Sequence, residues 1–412
     1  MRRLIALRCP ISNRGRVDDP NRFHRAVPGA AMARPARAHH RGGEPNPVPV
    51  SPTCPGAAQR SFRFSNSIKE SQMTESALHL KSDIIGQDNG AGALKVYGRH
   101  GGIELPALVA ADTQRQPYTG IAGLRQVRPP MRVVTDQRRF YIGPGAHDWG
   151  RPIENLDDAR FGHSPENGAL WRGALSVYIQ RFGPFGGSLE TLVGLPQSAF
   201  SSDTSREVIA SVRAAMSGVH RWQVENGAAT AEHRAEIARV TVTSQAAGAL
   251  FDYLLDLEGE FVPERKPAFK QEVGVVSLGM NTLEMLVLRD GAPVERFKTS
   301  ETAGVRRLLE LVDPDGLYSR GELDAQLRSG ALAYQEALPV WAAEVVGHIE
   351  RLWGRAFRRF AATILVGGGA LLLRDLLLPR FNGKAFVPDD PVMSVARGLY
   401  KLGLMRVRRA RP

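Results

Sequence analysis

The sequence predicts an α/β fold made of two similar halves, each opening on a strand, a glycine-containing turn and a second strand. Three stretches carry this expectation. From Ile84 to Val96, two short β-type runs flank Asp88-Asn89-Gly90-Ala91-Gly92. From Val273 to Leu288 the same pattern returns around Ser277-Leu278-Gly279-Met280-Asn281-Thr282, so that Ser277 aligns with Asp88, Gly90 with Gly279 and Ala93 with Thr282. Finally, the apolar run Thr363-Ile364-Leu365-Val366 ends in Gly367-Gly368-Gly369 before a helix. Each stretch alone is weak, because Asn-Gly turns are common. In this order and spacing they are hard to produce by chance.

The first hairpin has a chemical reading. Its tip is expected to take φ > 0 at three residues and to leave several N–H groups pointing one way, a nest for an anion. Lys95, on the outgoing strand, adds a point charge suited to a phosphate. Asp88, at the entrance of the turn, suits a water of a Mg²⁺ shell, since Mg²⁺ keeps most of its waters. The competing reading is an ordinary tight hairpin with a solvated lysine.

The remaining elements follow in order. Ile103 to Ala111 continues as a strand, and Met131–Val134 with Arg139–Gly143 reads as a hairpin around Asp136-Gln137. Ser164-Pro165-Glu166 starts a helix, with Ser as N-cap and Pro at the first helical position. Leu170, Trp171, Ala174, Leu175 and Tyr178 then recur at helical spacing and read as core. A strand over Leu189–Leu195 ends in Gly194-Leu195-Pro196, and a helix from about Arg206 to Met216 stops near Gly218. Ala238–Thr243 is a further strand. It runs into Ser244-Gln245-Ala246-Ala247-Gly248, whose small residues let a helix begin against another element. After the second hairpin come a strand (Val294–Lys298), three helices of which the longest spans about Tyr334 to Arg355, the glycine triplet, and a helix from Val392 to Met405 capped by Asp390-Pro391.

Charge and cysteines sit at the ends. Residues 1–72 are dense in Pro, Gly, Ala and Arg, lack helical or alternating period, and carry thirteen Lys/Arg against four Asp/Glu, a net +9 of the chain's +12. Residues 406–412 add +4, so the body between is close to neutral and offers no basic binding face. The extension reads as a basic arm for nucleic-acid phosphates, as a targeting segment, or as sequence upstream of a start at Met73, the reading favoured here. Cys9 and Cys54 both lie in it; a body without cysteine suits a reducing cytoplasm. No apolar run approaches the ~20 residues needed to span a membrane. His147, Asp148, His163 and His233 lack ligand spacing, Asp256–Glu260 reads as a solvated helix end, and Arg351, Arg355, Arg358 and Arg359 read as one helical face, either solvated or against a neighbouring subunit.

With these motifs in place, residues 82–405 resemble the actin-like ATPase superfamily, and within it plasmid-segregation actins of the ParM/StbA type. Asp88–Lys95 resembles the first phosphate motif, Ser277–Thr282 the second, and Leu365–Ala370 the adenosine motif. Gly162–Glu166, Gly194–Pro196 and Ala396–Lys401 are similar in character to segregation-type relatives. The resemblance implies a duplicated, ribonuclease H-like, two-domain fold with a nucleotide cleft between the halves: a first domain over 82–243, a second over 244–390, and a helix, 391–405, returning to the first. It implies ATP and Mg²⁺ as ligands. Asp88 holds the metal through water and Lys95 meets the β/γ-phosphates. Asn89, Gly90, Ala91 and Gly92 face Gly279, Met280, Asn281 and Thr282 across the phosphates, and Gly367, Gly368 and Gly369 lie against the nucleoside. Gln245 falls where the superfamily places the Glu or Gln that orients the attacking water, a role that needs hydrogen bonding and not basicity; the residue-level alternative is a helix start with no role.

Three departures bear on turnover. The second phosphate motif normally opens with Asp, here Ser277; Ala91 lacks a hydroxyl, and Ala246 replaces a common proline. Backbone binding survives these changes, whereas hydrolysis is expected to be slow. The implied function is an ATP-binding, slowly hydrolysing, cytoplasmic protein that forms nucleotide-dependent filaments for plasmid or DNA segregation, with itself and a DNA-bound adaptor as partners and no membrane. A non-polymerising switch or scaffold, and a small-molecule kinase of the same superfamily, stand as alternatives.

Overall fold

A computed structural model describes residues 82–410 apart from 114–122, 124, 126, 136–137, 155–159 and 202. The extension 1–72 with both cysteines, the Asp136-Gln137 turn, Arg411-Pro412 and the side chain of His163 lie outside the described residues.

The first sheet contains β1 (Ser82–Asn89), β2 (Ala93–Gly98), β3 (Gly101–Pro106), β4 (Val109–Ala111), β5 (Met131–Thr135), β6 (Arg138–Ile142), β7 (Arg151–Pro152), β8 (Ser188–Leu195), β9 (Gly218–Asn226) and β10 (Ala229–Ser244). Their order is β3-β2-β1-β8-β10-β9-β5-β6-β4-β7. The second contains β11 (Val273–Leu278), β12 (Leu283–Arg289), β13 (Ala292–Pro293), β14 (Thr299–Glu301), β15 (Ala362–Val366) and β16 (Ala385–Phe386), in the order β13-β12-β11-β15-β16 with β14 also on β12. The helices that matter below are α1 (Pro165–Phe182), α2 (Ser205–Met216), α3 (Gln245–Leu254), α4 (Val305–Val312), α5 (Arg320–Ser329), α6 (Leu338–Trp353), α7 (Gly368–Leu372) and α8 (Ser394–Ala410).

The duplication is visible in the pairing. Each half begins with an antiparallel hairpin, β1–β2 or β11–β12. The first strand of each then lies parallel to a strand reached through a helix, β8 after α1 and β15 after α6. In these registers Asp88 stands beside Gly194, and Ser277 beside Val366. The central strands β8, β11 and β15 are covered on both faces, which is why they read as nearly continuous apolar runs.

Among the described residues, the three larger clusters of buried side chains hold the halves. One, around Trp171, Leu175, Leu189 and Trp222, fills the first half. A second, around Trp341, Trp353, Phe360 and Leu365, fills the other. The third draws on both sheets and on α3 and α8: Leu192, Leu250, Val275, Ile364 and Leu399 meet there. Glycine lets the two helices touch. A Cβ on Gly398 would lie 1.8 Å from Gly248 O, and one on Gly248 2.6 Å from Val395 O. The partner of the small-residue helix start at Gln245 is thus α8.

A buried ionic cluster pins this crossing. Asp252 on α3 accepts from Ser394 Oγ (2.7 Å) and from Arg397 Nε (2.7 Å), and it pairs with Lys401 Nζ at 2.8 Å. Burial opposes ionisation of Asp252, but Arg397 and Lys401 outweigh it and hold the carboxyl below its ordinary range.

Several expected elements differ. The strand expected over Ile103–Ala111 breaks after Pro106, where Ala107 N–H turns to bond Gly92 O at 3.0 Å. Val294–Lys298 is no strand: Glu295–Phe297 forms a 3₁₀ turn that buries Phe297 against Phe360 and the Trp353 side of the core. The strand at Ala238–Thr243 is the end of a sixteen-residue strand, whose outer part pairs with β9 around Gly227 at φ 65°. The long helix starts at Leu338, and α8 runs on to Ala410. The four arginines do not share a helix face. Arg351 is on α6 and pairs with Glu301, whereas Arg358 and Arg359 lie in a separate 3₁₀ turn, with Arg359 on Glu272.

Candidate functional site

The two hairpins point their turns into one cleft of about 1610 Å³. The first turn, Gln245 and the second turn line it, together with Gly367, Gly368, Tyr334, Leu371, Arg306 and Glu310.

Asp88, Lys95 and Gln245 come together. The β1–β2 register sets Lys95 opposite Asp88, so both side chains leave the same face, and Lys95 Nζ donates to Asp88 Oδ2 at 3.0 Å. Ser244 caps α3 by accepting from Ala247 N–H, which fixes Gln245 as the first helical residue. Its Nε2 donates to Asp88 Oδ1 at 2.6 Å. Asp88 is 4% exposed, and both of its oxygens are held by these two side chains. The Asn89 side chain is engaged elsewhere, its Oδ1 accepting from Gln87 Nε2.

The tip conformation corrects the expectation of left-handed residues. Among the described residues with positive φ, none lies in 89–92 or 277–282. Glycine is needed here because of crowding. A Cβ on Gly90 would stand 2.8 Å from Ala93 O and 3.0 Å from Lys95 Nζ, and one on Gly92 would stand 2.7 Å from Met280 Cβ. The two tips therefore abut at Gly92 and Met280.

The second tip is built differently. Gly279 N–H closes the turn on Thr282 O at 2.9 Å, so its amide does not face a ligand. The carbonyls of Gly279, Met280 and Asn281 accept from Val305, Arg306 and Gly304 at the start of α4, at 2.9, 2.7 and 3.3 Å. This satisfies amides that a helix start otherwise leaves open. It also turns the amide side of Met280 and Asn281 away from α4. Asn281 Oδ1 lies buried without a hydrogen-bond partner among the described residues.

The glycine triplet divides its work. Gly367 takes φ 91°, and a Cβ there would lie 2.4 Å from Leu278 O; a Cβ on Gly369 would lie 2.7 Å from Leu278 Cβ. Both pack the triplet onto the second hairpin. Gly368 alone faces open space, with nothing within 4 Å of a would-be Cβ.

Three features were not read from the sequence. Glu284 stands opposite Ser277 in the β11–β12 register, and its Oε1 accepts from Gln197 N–H of the first half at 3.0 Å. The signal was available, since Glu284 follows Ser277 at the same spacing as Lys95 follows Asp88. At the cleft mouth, Arg328 on α5 reaches Glu104 on β3 at 2.6 Å, and outside the cleft lining Arg320 of the same helix reaches Glu154 at 2.8 Å. Arg328 also bonds Asp324 at 2.7 Å; burial pushes the Asp324 carboxyl up, with Arg328 pulling against it. The third is the Asp252 cluster. Among the described residues no group of three or more His, Cys, Asp or Glu converges as a metal site.

No protein-family model and no curated protein matches the sequence. Solved structures do. The actin-like protein Alp7A superposes with a TM-score of 0.62 at 15% identity, covering 79% of this chain and 97% of that one. A ParM filament from Clostridium botulinum matches with a TM-score of 0.56 at 15% identity, over 78% and 99%. An archaeal actin homologue, Ta0583, in complex with ADP, matches with a TM-score of 0.55 at 18% identity, over 79% and 99%. The chain has the actin-like fold.

Proposed function

We propose that the chain is a nucleotide-dependent, self-assembling actin-like protein that binds ATP with Mg²⁺ between a first domain (82–243) and a second (244–390), with the helix 391–405 returning to the first, and that it hydrolyses ATP slowly. The observation that supports this reading best is the meeting of the two tips, Gly92 against Met280, beside the Asp88–Lys95–Gln245 cluster on the floor of one large cleft. The donor set fits a polyphosphate. Backbone amides of Gly90 to Gly92 and of Met280 and Asn281 are the cradle, Lys95 is the charge, and the open face at Gly368 leaves room for a nucleoside. Asp88 is the carboxylate that would hold Mg²⁺ through water, and the buried, unpartnered Asn281 Oδ1 accepts from a hydroxyl or a water. Bound Mg²⁺ supplies charge neutralisation to the phosphates. Gln245, its Nε2 fixed on Asp88, keeps Oε1 to accept from and so align a water.

Self-assembly is inferred from the filament-forming relative, with a second copy of the chain and a DNA-bound adaptor as partners and the cytoplasm as the compartment. No helix of the described residues is long and apolar enough to cross a membrane.

Light scattering tests the whole reading. Adding ATP–Mg²⁺ to the full chain is expected to raise scattering, and ADP to raise it less. ATP binding without scattering selects the non-polymerising switch, and transfer of phosphate to a small molecule selects the kinase. Absence of ATP binding at millimolar concentration overturns the proposal.

A further inference from the structure

Opposite residues of an antiparallel pair share a face, with Cβ atoms ~4.5–5.5 Å apart. In the first hairpin the pair is Asp88 and Lys95, and its charges are matched inside the hairpin at 3.0 Å. In the second the pair is Ser277 and Glu284. The Glu284 side chain therefore leaves β12 on the face Ser277 shows to the cleft, and the residue is only 4% exposed. Its Oε1 accepts from the N–H of Gln197, which belongs to the other half.

The donor is placed by local chemistry. Pro196 has no N–H, so Gln197 offers the first amide of the 3₁₀ turn Gln197–Phe200. That turn continues β8 just beyond Gly194, the residue in register with Asp88. The same strand end is in register with the end of β10, Thr243 beside Gly194 and Ser244 beside Leu195, so it also borders the start of α3 at Gln245. The Glu284–Gln197 bond thus joins the second hairpin to the strand end that seats both Asp88 and Gln245.

We propose that Glu284 is a positioning residue: its buried carboxyl ties the second hairpin to the Gly194–Gln197 segment across the cleft floor and so holds Gln245 in the geometry used for turnover. Its effect on turnover rests on the nucleotide reading given above, whereas the tie itself does not.

Two measurements on the full chain separate these. Amide hydrogen exchange at Gln197 without nucleotide reads the tie. Protection is expected in the wild type, a tenfold or greater loss in Glu284→Ala, and most of it restored in Glu284→Gln, which keeps an acceptor. Single-turnover hydrolysis against ATP affinity reads the consequence. Glu284→Ala is expected to slow hydrolysis at least tenfold while weakening ATP binding less than threefold, with Glu284→Gln losing roughly threefold in rate. Gln197→Pro removes the donor from the other side, at the start of a turn that tolerates proline, and is expected to match Glu284→Ala without adding to it. It stands in if Glu284→Ala fails to fold. An unprotected Gln197 amide in the wild type, additive effects of the two substitutions, equal losses in affinity and rate, or a Glu284→Gln variant as slow as Glu284→Ala would each overturn the proposal. If the wild type binds no ATP, the function proposed above falls, and the positioning role in turnover falls with it; the exchange data then decide the tie alone.

Discussion

The first hairpin closes its charge on itself, whereas the second turns its carboxyl outward to the other half. Asp88 and Lys95 pair across β1 and β2, and Gln245 joins them. In the same register Ser277 stands opposite Glu284, which bonds Gln197 of the first half. The tips differ as well: the carbonyls of the second cap the start of α4, while the first gives Gly92 O to Ala107. A duplicated backbone fixes which way side chains point, and the residues at those positions then differ. In the function proposed above, one half carries the charges for a ligand and the other braces them.

The largest effect is expected at the shared crossing. Asp252→Asn leaves Arg397 and Lys401 near an uncharged partner, and removing one member of a buried ion pair typically lowers stability by ~3–5 kcal/mol. Because the folded carboxyl lies below its ordinary value of 3.8, the stability it contributes is present above that value and is lost as pH falls through the folded one. Denaturant melts at pH 7 and across the acid range check both points: the variant should be weaker at neutrality and lose part of the acid dependence. Unchanged stability would mean that the glycine contacts alone hold the crossing.

Next comes the charged half. Asp88→Ala strips Lys95 and Gln245 of their acceptor and is expected to weaken ATP–Mg²⁺ binding about 100-fold, ~2.8 kcal/mol. Lys95→Ala should lose about tenfold, ~1.4 kcal/mol. Both should harm ADP without Mg²⁺ less, as titration calorimetry would show; equal losses for both ligands would point to a defect in the hairpin itself.

The bracing half gives a smaller effect, and there the structure changes an expectation. From sequence, Ser277→Asp restores a missing carboxylate and should speed hydrolysis. Opposite Glu284, the new charge instead faces a like one, which is destabilising by ~0.2–1 kcal/mol in a cross-strand pair and raises carboxyl pKa values. Ser277→Asp alone is therefore expected to melt slightly lower and not to exceed the wild-type rate. A gain should appear only in Ser277→Asp with Glu284→Gln, measured against Glu284→Gln alone. A faster single variant would show that the two groups do not face each other.

The fold was legible where local chemistry sets it. Apolar runs around Asn89-Gly90, around Gly279 and before the glycine triplet marked the two hairpins and β15, and Ser164-Pro165 marked α1, whose cap accepts from Asn167 N–H. Asn226-Gly227 between alternating residues also signals a hairpin, but the outer strands are largely exposed and carry few apolar residues, so it passed unread. The tip glycines are expected to be left-handed and are not, while Gly367 is. Sequence reveals that a Cβ is unwelcome, not whether torsion or a neighbour such as Met280 forbids it. The place of Glu284 opposite Ser277 is signalled by its spacing, but its partner is not, because a backbone amide from another element leaves no mark in side-chain patterns. The contacts across the cleft mouth were hidden by distance along the chain: Arg328 and Glu104 are 224 residues apart.

The smallest effect is expected where the halves meet at that mouth. Arg328 bonds both Glu104 of the first half and Asp324 of its own helix, and Arg320 adds a bond to Glu154. Arg328 and Glu104 are each about a third exposed, at 36% and 30%, and such pairs are worth ~0.2–1 kcal/mol. That corresponds to a nucleotide leaving about 1.5- to 5-fold faster if opening of the mouth limits release. The two ends are not equivalent. Glu104→Gln leaves Arg328 on Asp324, whereas Arg328→Ala also leaves Asp324 buried without its cation, and burial already pushes that carboxyl up. Arg328→Ala should therefore speed release more than Glu104→Gln, and adding Arg320→Ala should speed it further. Salt should accelerate release from the wild type and do so less in the double arginine variant, because exposed charges are screened and the variant has fewer to screen. Chasing a bound fluorescent nucleotide in a stopped-flow instrument reads all four proteins. If the arginine variants release nucleotide at the wild-type rate while salt still accelerates both, the mouth is held by other contacts than these two arginines.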